Sequence, residues 1–349
     1  MIDISNIKIS SEMLNIISAI DQFKVQWLTL KENKAASLIH LQKVATIESI
    51  GSSNRIEGNK LNDIEVEKIL HNITKNSFTT RDEQEVVGYA KLMNCILSDY
   101  EIIPFSENYI KQLHKILLSF SQKDQIHMGE YKRIYNSISA FNQDGKEMGV
   151  IFETASPFET PMQMAQLIKF MNERMSDKLI HPLILIGIFI VHFLAIHPFQ
   201  DGNGRLSRAL TKLLLLKFEY TYVAYSSMET IIEENKSAYY ISLRNTQKTL
   251  SGTPDYTPWL IFFLRSLSKQ KIRLENKITL QNDSNNINLP LLASKILAQF
   301  NIKDIWTTTE LSSELNAKTV TIKKNLAYLV KQGIIKKNGS TRGAWYEKL

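Results

Sequence analysis

Between His197 and Arg208 the chain reads HPFQDGNGRLSR, and these twelve residues hold most of the groups that could do chemistry. Pro198 must stop a preceding helix, which leaves the imidazole of His197 at its rim, able to accept a proton near neutral pH. Gly202-Asn203-Gly204 can turn so that backbone N–H groups converge where the next helix begins, and a helix start of that kind attracts anions. Arg205 and Arg208 lie three apart on one face of that helix. Two guanidinium groups beside an amide nest suit a polyphosphate. Asp201 offers a single carboxylate at the mouth, enough to anchor a Mg²⁺ whose other ligands are phosphate and water.

Two helices must position this turn. The apolar run Leu183–Ile196 before it is 14 residues long and contains His192, so it reads as a buried central helix, too short to cross a bilayer. Gly204 to Phe218 reads as the helix after it. Helical periodicity dominates elsewhere: from Ile7 to Leu41, from Gln42 to Glu57 with Gly58-Asn59 as the stop, and over 61–74, 84–97, 105–120, 161–174, 229–247 and 258–275. Between Tyr131 and Phe158 two short β-prone runs flank Asp144-Gly145, a hairpin signal. The polar stretch Thr279 to Asn288 reads as a linker. Beyond it, three helical patterns (290–300, 308–315, 318–332) and two strands around Asn338-Gly339 describe a winged helix. The expected division is a helical N-terminal region over 1–104, a core over 105–278, a linker over 279–288 and a winged helix over 289–349.

Composition narrows the class. A chain of 349 residues exceeds what one core usually organises. With 44% apolar and 22% charged residues it is neither disordered nor collagen-like, and 13 Gly with 8 Pro argue against an all-β protein. Cys95, alone, can form neither an internal disulfide nor a thiolate metal cage, and reads as a small buried hydrophobe. His40, His71, His114, His127 and His181 lack metal spacing, and His192 reads as a hydrogen-bonded core histidine. The opening residues lack a secretion-signal layout, so a cytoplasmic protein without membrane contact is expected. Net charge is +7, but residues 286–349 carry ten Lys/Arg against four Asp/Glu, or +6, which leaves +1 for the rest. Lys318, Lys323 and Lys324 fall on the would-be recognition helix and Lys336, Lys337 and Arg342 on the wing, a layout suited to DNA. Dimerisation and protein docking are the competing uses of such a module.

The twelve residues resemble the signature of Fic-domain proteins, His-x-Phe-x-(Asp/Glu)-Gly-Asn-Gly-Arg-x-x-Arg, at every fixed position. The resemblance implies a mainly α fold, a helical bundle with a small β-hairpin flap, and an enzyme that moves AMP from ATP to a Ser, Thr or Tyr hydroxyl of a target protein, releasing pyrophosphate. It implies that His197 is the general base, Phe199 the core anchor of the loop and Asp201 the Mg²⁺ ligand. Gly202, Asn203, Gly204, Arg205, Leu206, Ser207 and Arg208 form the ATP-binding run, with Arg205 on the β-phosphate and Arg208 on the γ-phosphate. Asn235-Lys-Ser-Ala-Tyr-Tyr240 resembles the family's adenosine contact, from which Asn235 and Tyr240 are carried over. Neighbours on a helix point about 100° apart, so Tyr240 is expected in the site and Tyr239 in the core. Gly129-Glu-Tyr131 resembles the approach to the flap, and Val150, Ile151, Phe152, Glu153 and Thr154 the flap itself, a strand edge on which a target segment can pair.

Ser53-Asn-Arg-Ile-Glu57-Gly58 fits the family's inhibitory motif, (Ser/Thr)-x-x-x-Glu-(Gly/Asn). Ser53 and Glu57 share one face of a helix over about 42–58, and the resemblance implies that Glu57 pairs with Arg208, taking the space and charge a productive γ-phosphate needs. The expectation is thus an autoinhibited protein adenylyltransferase that also modifies itself and that can form homo-oligomers. The alternatives are a DNA-binding regulator with a nucleotide-sensing body, and a relative that removes AMP or transfers another phosphate-containing group.

Overall fold

The computed structural model describes residues 2–33, 35–72, 78–141, 147–283, 290–300, 302–339 and 344–348; for 32–33, 35–37, 137–141, 147–153 and 280–283 it describes the backbone alone. The chain divides into two compact units, Met1–Leu274 and Glu275–Leu349.

The first unit is helical. Its elements in order are α1 (Ser11–Asn33), α2 (Ala35–Ile56), α3 (Asp63–His71), α4 (Arg81–Asp99) and α5 (Glu107–Leu117). A hairpin of β1 (Ser137–Phe141) and β2 (Glu147–Glu153) follows. Then come α6 (Thr160–Asp177), α7 (Pro182–Ile196), α8 (Asn203–Lys217), a 3₁₀ turn at Thr221–Tyr225, α9 (Met228–Glu234), α10 (Lys236–Gln247) and α11 (Thr257–Asp283), whose residues from Glu275 belong to the second unit. Helix α7 is the centre. Its sequence is apolar all round, so it can only be stable when every face is covered, and α6, α8 and α10 pack on it. Helix α2 lies on α4, α8 and α9, which brings its C-terminal turn to the start of α8.

Helix ends follow local chemistry. Asn62, Thr80 and Thr307 form capping boxes with Glu65, Glu83 and Glu310. At the end of α2, Gly58 takes φ +99°, with Asn59 N–H donating to the Asn54 carbonyl and Gly58 N–H to the Arg55 carbonyl. This Schellman closure needs a residue free to enter the left-handed region, hence glycine.

The sequence reading differs from the structure in five places. The helix that carries Ser53 starts at Ala35 rather than Gln42, so the first helix ends at Asn33 rather than Leu41. The first helix begins at Ser11 rather than Ile7. The stretch 229–247 is two helices, broken at Asn235, where the backbone leaves helical geometry. Helix α11 runs to Asp283 and takes in the front of the expected linker, because Thr279–Asp283 holds neither Gly nor Pro to stop it. The C-terminal unit also gains an unexpected strand. It consists of α12 (Leu291–Gln299), β3 (Ile305–Thr307), α13 (Thr308–Glu314), α14 (Thr319–Lys331), β4 (Ile335–Asn338) and β5 (Trp345–Lys348). Its sheet is antiparallel in the order β3-β5-β4, over a core that includes Ile296, Leu311, Ile322, Leu326 and Leu329. Three residues of β3 are too few for an alternation signal, so tertiary pairing with β5 makes that strand. Asp144-Gly145 lies outside the described residues, as does Arg342. Among the described residues no helix is long and apolar enough to cross a membrane.

Candidate active site

Helix α7 ends where Pro198 removes the next N–H. His197 closes it in a left-handed conformation, φ 51°, with its N–H bonded to the Phe193 carbonyl at 2.9 Å. A non-glycine residue there carries backbone strain, held by the loop beyond it. Asn203 ties that loop: its Oδ1 accepts from the Phe199 N–H at 2.9 Å, and its Nδ2 donates to the Phe199 carbonyl at 2.7 Å. The Asn203 side chain is therefore a brace, 1% exposed. Gly202, φ +80°, then turns the chain into α8. The first-turn N–H groups of a helix have no partner within it, so those of α8 face the cleft as an anion cradle.

Phe199 is fully buried, its ring stacked on His114 at 3.8 Å and tilted against Tyr131 at 5.6 Å. His114 Nδ1 accepts from the Gly129 N–H at 2.8 Å, so Nε2 carries the proton and donates to the Asp201 carbonyl at 2.9 Å. Burial pushes this imidazole down to about 4, and it braces the loop in its neutral form. The spacing of the histidines hides this role.

The loop opens on a cleft of about 400 Å³ lined by Glu57, His197, Asp201, Arg205, Tyr240 and Gln247 among others. Burial, then Lys132, push His197 down to about 4, against the Leu194 carbonyl, Glu57 and Asp201, which favour its cation. At neutral pH it is an uncharged proton acceptor. Burial raises Asp201, but Arg205, the Gly202 N–H and Arg81 outweigh it and hold the carboxyl below its usual range. Arg205, 2% exposed, lies 3.6 Å from Asp201 and 3.5 Å from Glu85, while its Nε has no hydrogen-bond partner among the described residues. Such a buried, unspent donor fits an incoming anion. One ionised carboxylate at the cleft mouth fits a hard cation that draws its remaining ligands from phosphate and water. Among the described residues no cluster of three or more His, Cys, Asp or Glu side chains competes for a metal.

Arg208 is claimed from the opposite side. Its Nη2 donates to Glu57 Oε1 at 2.8 Å and to the Ser53 carbonyl at 2.9 Å, and its Nε donates to Ser53 Oγ at 2.9 Å. Burial lowers Arg208, but Glu57, with Tyr239 and Tyr89, outweighs it and the net shift is upward. Glu57 also lies over the cradle: a Cβ on Gly204 would meet its Oε1 at 2.2 Å. Arg55 pins the last turn of α2, with Nε donating to Glu233 Oε1 at 2.6 Å, Nη2 to Glu233 Oε2 at 3.0 Å and Nη1 to Asp63 Oδ1 at 2.9 Å.

Several expected site residues fall elsewhere. Leu206 is fully buried in the core, on the face of α8 turned from the cleft. The Ser207 hydroxyl is spent on the Gly204 carbonyl at 2.8 Å. Asn235 Nδ2 donates to the Ile231 carbonyl at 2.7 Å, which holds the break between α9 and α10, and the residue does not line the cleft. Tyr239 joins Tyr240 in the lining, contrary to the 100° argument: its ring, 3% exposed, stands edge-on to Tyr240 at 5.1 Å and floors the cleft from below. Gln247, unremarked in the sequence, is 5% exposed with Nε2 lacking a hydrogen-bond partner among the described residues, and it lines the cleft one turn beyond Leu243. His192 bonds the Tyr256 hydroxyl at 2.9 Å, and Cys95 is half-buried.

The hairpin pairs Ser137 with Glu153, Ile138 with Phe152 and Ser139 with Val150, so Ile151 sits in a bulge. It is a two-stranded sheet, and among the described residues each strand keeps one edge without a partner strand. The side chains of Val150, Ile151, Phe152 and Glu153 lie outside the described residues. Thr154 is 8% exposed and turned inward, its Oγ1 accepting from Lys132 Nζ at 2.8 Å, so its hydroxyl anchors the hairpin.

Residues 104–215 match the model of the Fic/DOC family. Proteins called protein adenylyltransferase Fic from Drosophila sechellia and Drosophila melanogaster are each 26% identical over 258 residues, which is 71% of this chain and 47% of theirs. The chain thus spans about half the length of these curated relatives. Among solved structures, a Fic family protein from Desulfovibrio desulfuricans aligns with 98% of this chain and 97% of its own, at a TM-score of 0.63 and 20% identity. A Fic domain containing signaling protein from Bacteroides thetaiotaomicron aligns with 73% of this chain and 93% of its own, at a TM-score of 0.57 and 24% identity.

Proposed function

We propose, from the match of residues 104–215 to the Fic/DOC family, that the chain is an autoinhibited protein adenylyltransferase. The observation that carries this reading is the Glu57–Arg208 contact at 2.8 Å: an intact cradle beside a neutral imidazole is held shut by a carboxylate from a segment 151 positions away.

In this reading ATP lies along the start of α8. The first-turn N–H groups and Arg205 hold the α- and β-phosphates, and Arg208, once released by Glu57, holds the γ-phosphate. Tyr240 and Gln247 face the nucleoside. Asp201 would hold Mg²⁺, which when bound neutralises charge building on the bridging phosphates. His197 accepts the proton from the target hydroxyl as that oxygen bonds to the α-phosphorus, and the bond to the bridging oxygen breaks to release pyrophosphate. The free edge of the β1–β2 hairpin aligns the target segment through main-chain hydrogen bonds. The target is a protein bearing a Ser, Thr or Tyr hydroxyl, with the chain itself among its acceptors.

The test compares wild type with Glu57→Gly, each given Mg²⁺ and ATP labelled on the α-phosphate. Glu57→Gly should label itself at least tenfold faster, since a charge-assisted pair of this kind is worth about 2 kcal/mol. Equal rates would end the autoinhibition reading, and transfer of label from the γ-phosphate instead would end the AMP reading.

A second activity is proposed for the C-terminal unit, read as a winged helix. Lys318, Lys323, Lys324 and Lys331 are exposed on or beside α14, and no carboxylate among the described residues lies within ion-pair distance of them. A lysine face on the recognition helix suits DNA phosphates. Full-length protein should shift duplex DNA with an affinity that falls steeply with salt, and Lys323→Ala with Lys324→Ala should flatten that slope. Salt-independent self-association in place of binding would assign the unit to dimerisation.

A further inference from the structure

Lys132 precedes the hairpin and is 3% exposed, yet among the described residues its ammonium meets only neutral acceptors: Asn136 Oδ1 at 2.8 Å, Thr154 Oγ1 at 2.8 Å and the Ile196 carbonyl at 2.9 Å. Its own N–H donates to the Pro198 carbonyl at 2.9 Å. One residue therefore grips the carbonyls on both sides of His197. Its two side-chain partners are the roots of the hairpin. Asn136 stands immediately before β1 and donates Nδ2–H to the Phe199 carbonyl at 2.9 Å. Thr154 stands immediately after β2 and donates its hydroxyl to the Asn136 carbonyl at 2.5 Å.

A buried cation without a counter-ion is costly, and burial pushes this ammonium down to about 8. A brace of helix ends and strand roots could be built from amides at less expense. An ammonium offers three donors at tetrahedral angles from one atom, and here all three are spent on different segments. The result is a single junction between the element that receives a target and the residue that takes its proton.

We propose that Lys132 is a positioning residue: through Asn136 and Thr154 it fixes both roots of the β1–β2 hairpin against the carbonyls flanking His197, so that a segment paired on the hairpin presents its hydroxyl at the imidazole. The inference rests on the adenylyltransferase reading for its consequence, though not for its geometry. Disturbing the junction misplaces the hydroxyl while leaving the phosphate cradle of α8 untouched, and small displacements of reacting atoms are expensive in rate.

The experiment uses the full chain with Glu57→Gly and compares it with the same protein carrying Lys132→Met, Lys132→Arg or Thr154→Val. Self-modification from α-labelled ATP is followed against ATP concentration. Lys132→Met should lower the maximal rate about 100-fold and leave the ATP concentration for half-maximal rate within about threefold. Lys132→Arg should restore the rate to within about tenfold, and Thr154→Val should lose about tenfold. A parallel loss of rate and ATP dependence in Lys132→Met would show a merely structural role and overturn the proposal, as would an unchanged rate. Hydrogen exchange without nucleotide supplies a second reading. Lys132→Met and Thr154→Val should each speed exchange over 196–200 and over 154–158 together, and acceleration at one end alone would overturn the coupling. If the Glu57→Gly parent transfers no AMP, the adenylyltransferase reading fails, while the exchange measurement still decides the junction. Thr154→Val carries both tests if Lys132→Met does not fold.

Discussion

Two flanks hold the loop from His197 to Arg208, and they hold it by different means. On the α2 side Arg208 is met by Ser53 and by a carboxylate, Glu57, whose side chain remains 33% exposed. On the hairpin side the loop is met by Lys132, Asn136 and His114, joined to backbone carbonyls by buried and part-buried bonds that involve no carboxylate. A part-exposed carboxylate can be displaced by another anion, because water and ions reach it and the guanidinium accepts phosphate equally well. Buried hydrogen bonds have no such competitor, and breaking one strands its partner. One flank is built to let go and the other to stay.

Substitutions can break or sharpen that contrast. The largest effect belongs to neither flank: His197→Ala in the Glu57→Gly background should lower AMP transfer roughly 10³-fold while calorimetric ATP affinity stays within about twofold. Residual transfer within a few-fold of the parent would remove His197 as the base. Next comes Arg208→Ala added to Glu57→Gly, which should erase about the whole tenfold gain, because the freed γ-phosphate loses its anchor. If Arg208→Ala activates the protein by itself, Arg208 is not the γ-phosphate anchor.

Smaller effects should appear where the α2 flank is loosened but keeps its carboxylate. Arg55→Gln, which releases Glu233 and Asp63, should raise transfer about threefold, and Ser53→Ala about twofold, read as initial labelling rates. The smallest effect concerns acid. His114, His192 and His197 are each held near 4, whereas an ordinary imidazole titrates near 6.5. Between those values the unfolded chain binds protons that the folded one refuses, so stability is full above about 6.5 and declines as pH falls towards 4. Tm measured across that window should drop, and His114→Gln should make the decline shallower; an identical slope would mean that His114 does not contribute.

The chemistry at the loop is legible in the sequence because its parts are contiguous: a proline stop, two glycines and two arginines on one helix face state their geometry locally. Phe199 as the anchor is implied only by the resemblance to the Fic signature, because its partners His114 and Tyr131 are distant in sequence. His114, Lys132, Asn136 and Gln247 are not, since each reaches the loop or cleft only after helices and hairpin pack, and no spacing reports that. Asn235 shows the opposite failure. Its place in a stretch that resembles the family's adenosine contact implies a ligand contact, but the break between α9 and α10 claims its amide first. The short strand β3 misses because its pairing with β5 sets it, whereas α11 overruns the expected linker because nothing in Thr279–Asp283 stops it.

Gly204 carries a consequence beyond its place in the cradle. The space that a side chain there would fill is occupied by the Glu57 carboxylate, and in the proposed reaction the same space must admit phosphate. In that proposed reaction glutamate and nucleotide cannot both have it, which would make Glu57 a competitive inhibitor on a tether. A tethered competitor is never diluted: its local concentration is set by the length and stiffness of the chain that holds it, and is on the order of millimolar or above for a short tether. Cellular ATP would then meet a threshold written into the fold, and anything that slackens the end of α2 would lower that threshold without touching a catalytic atom.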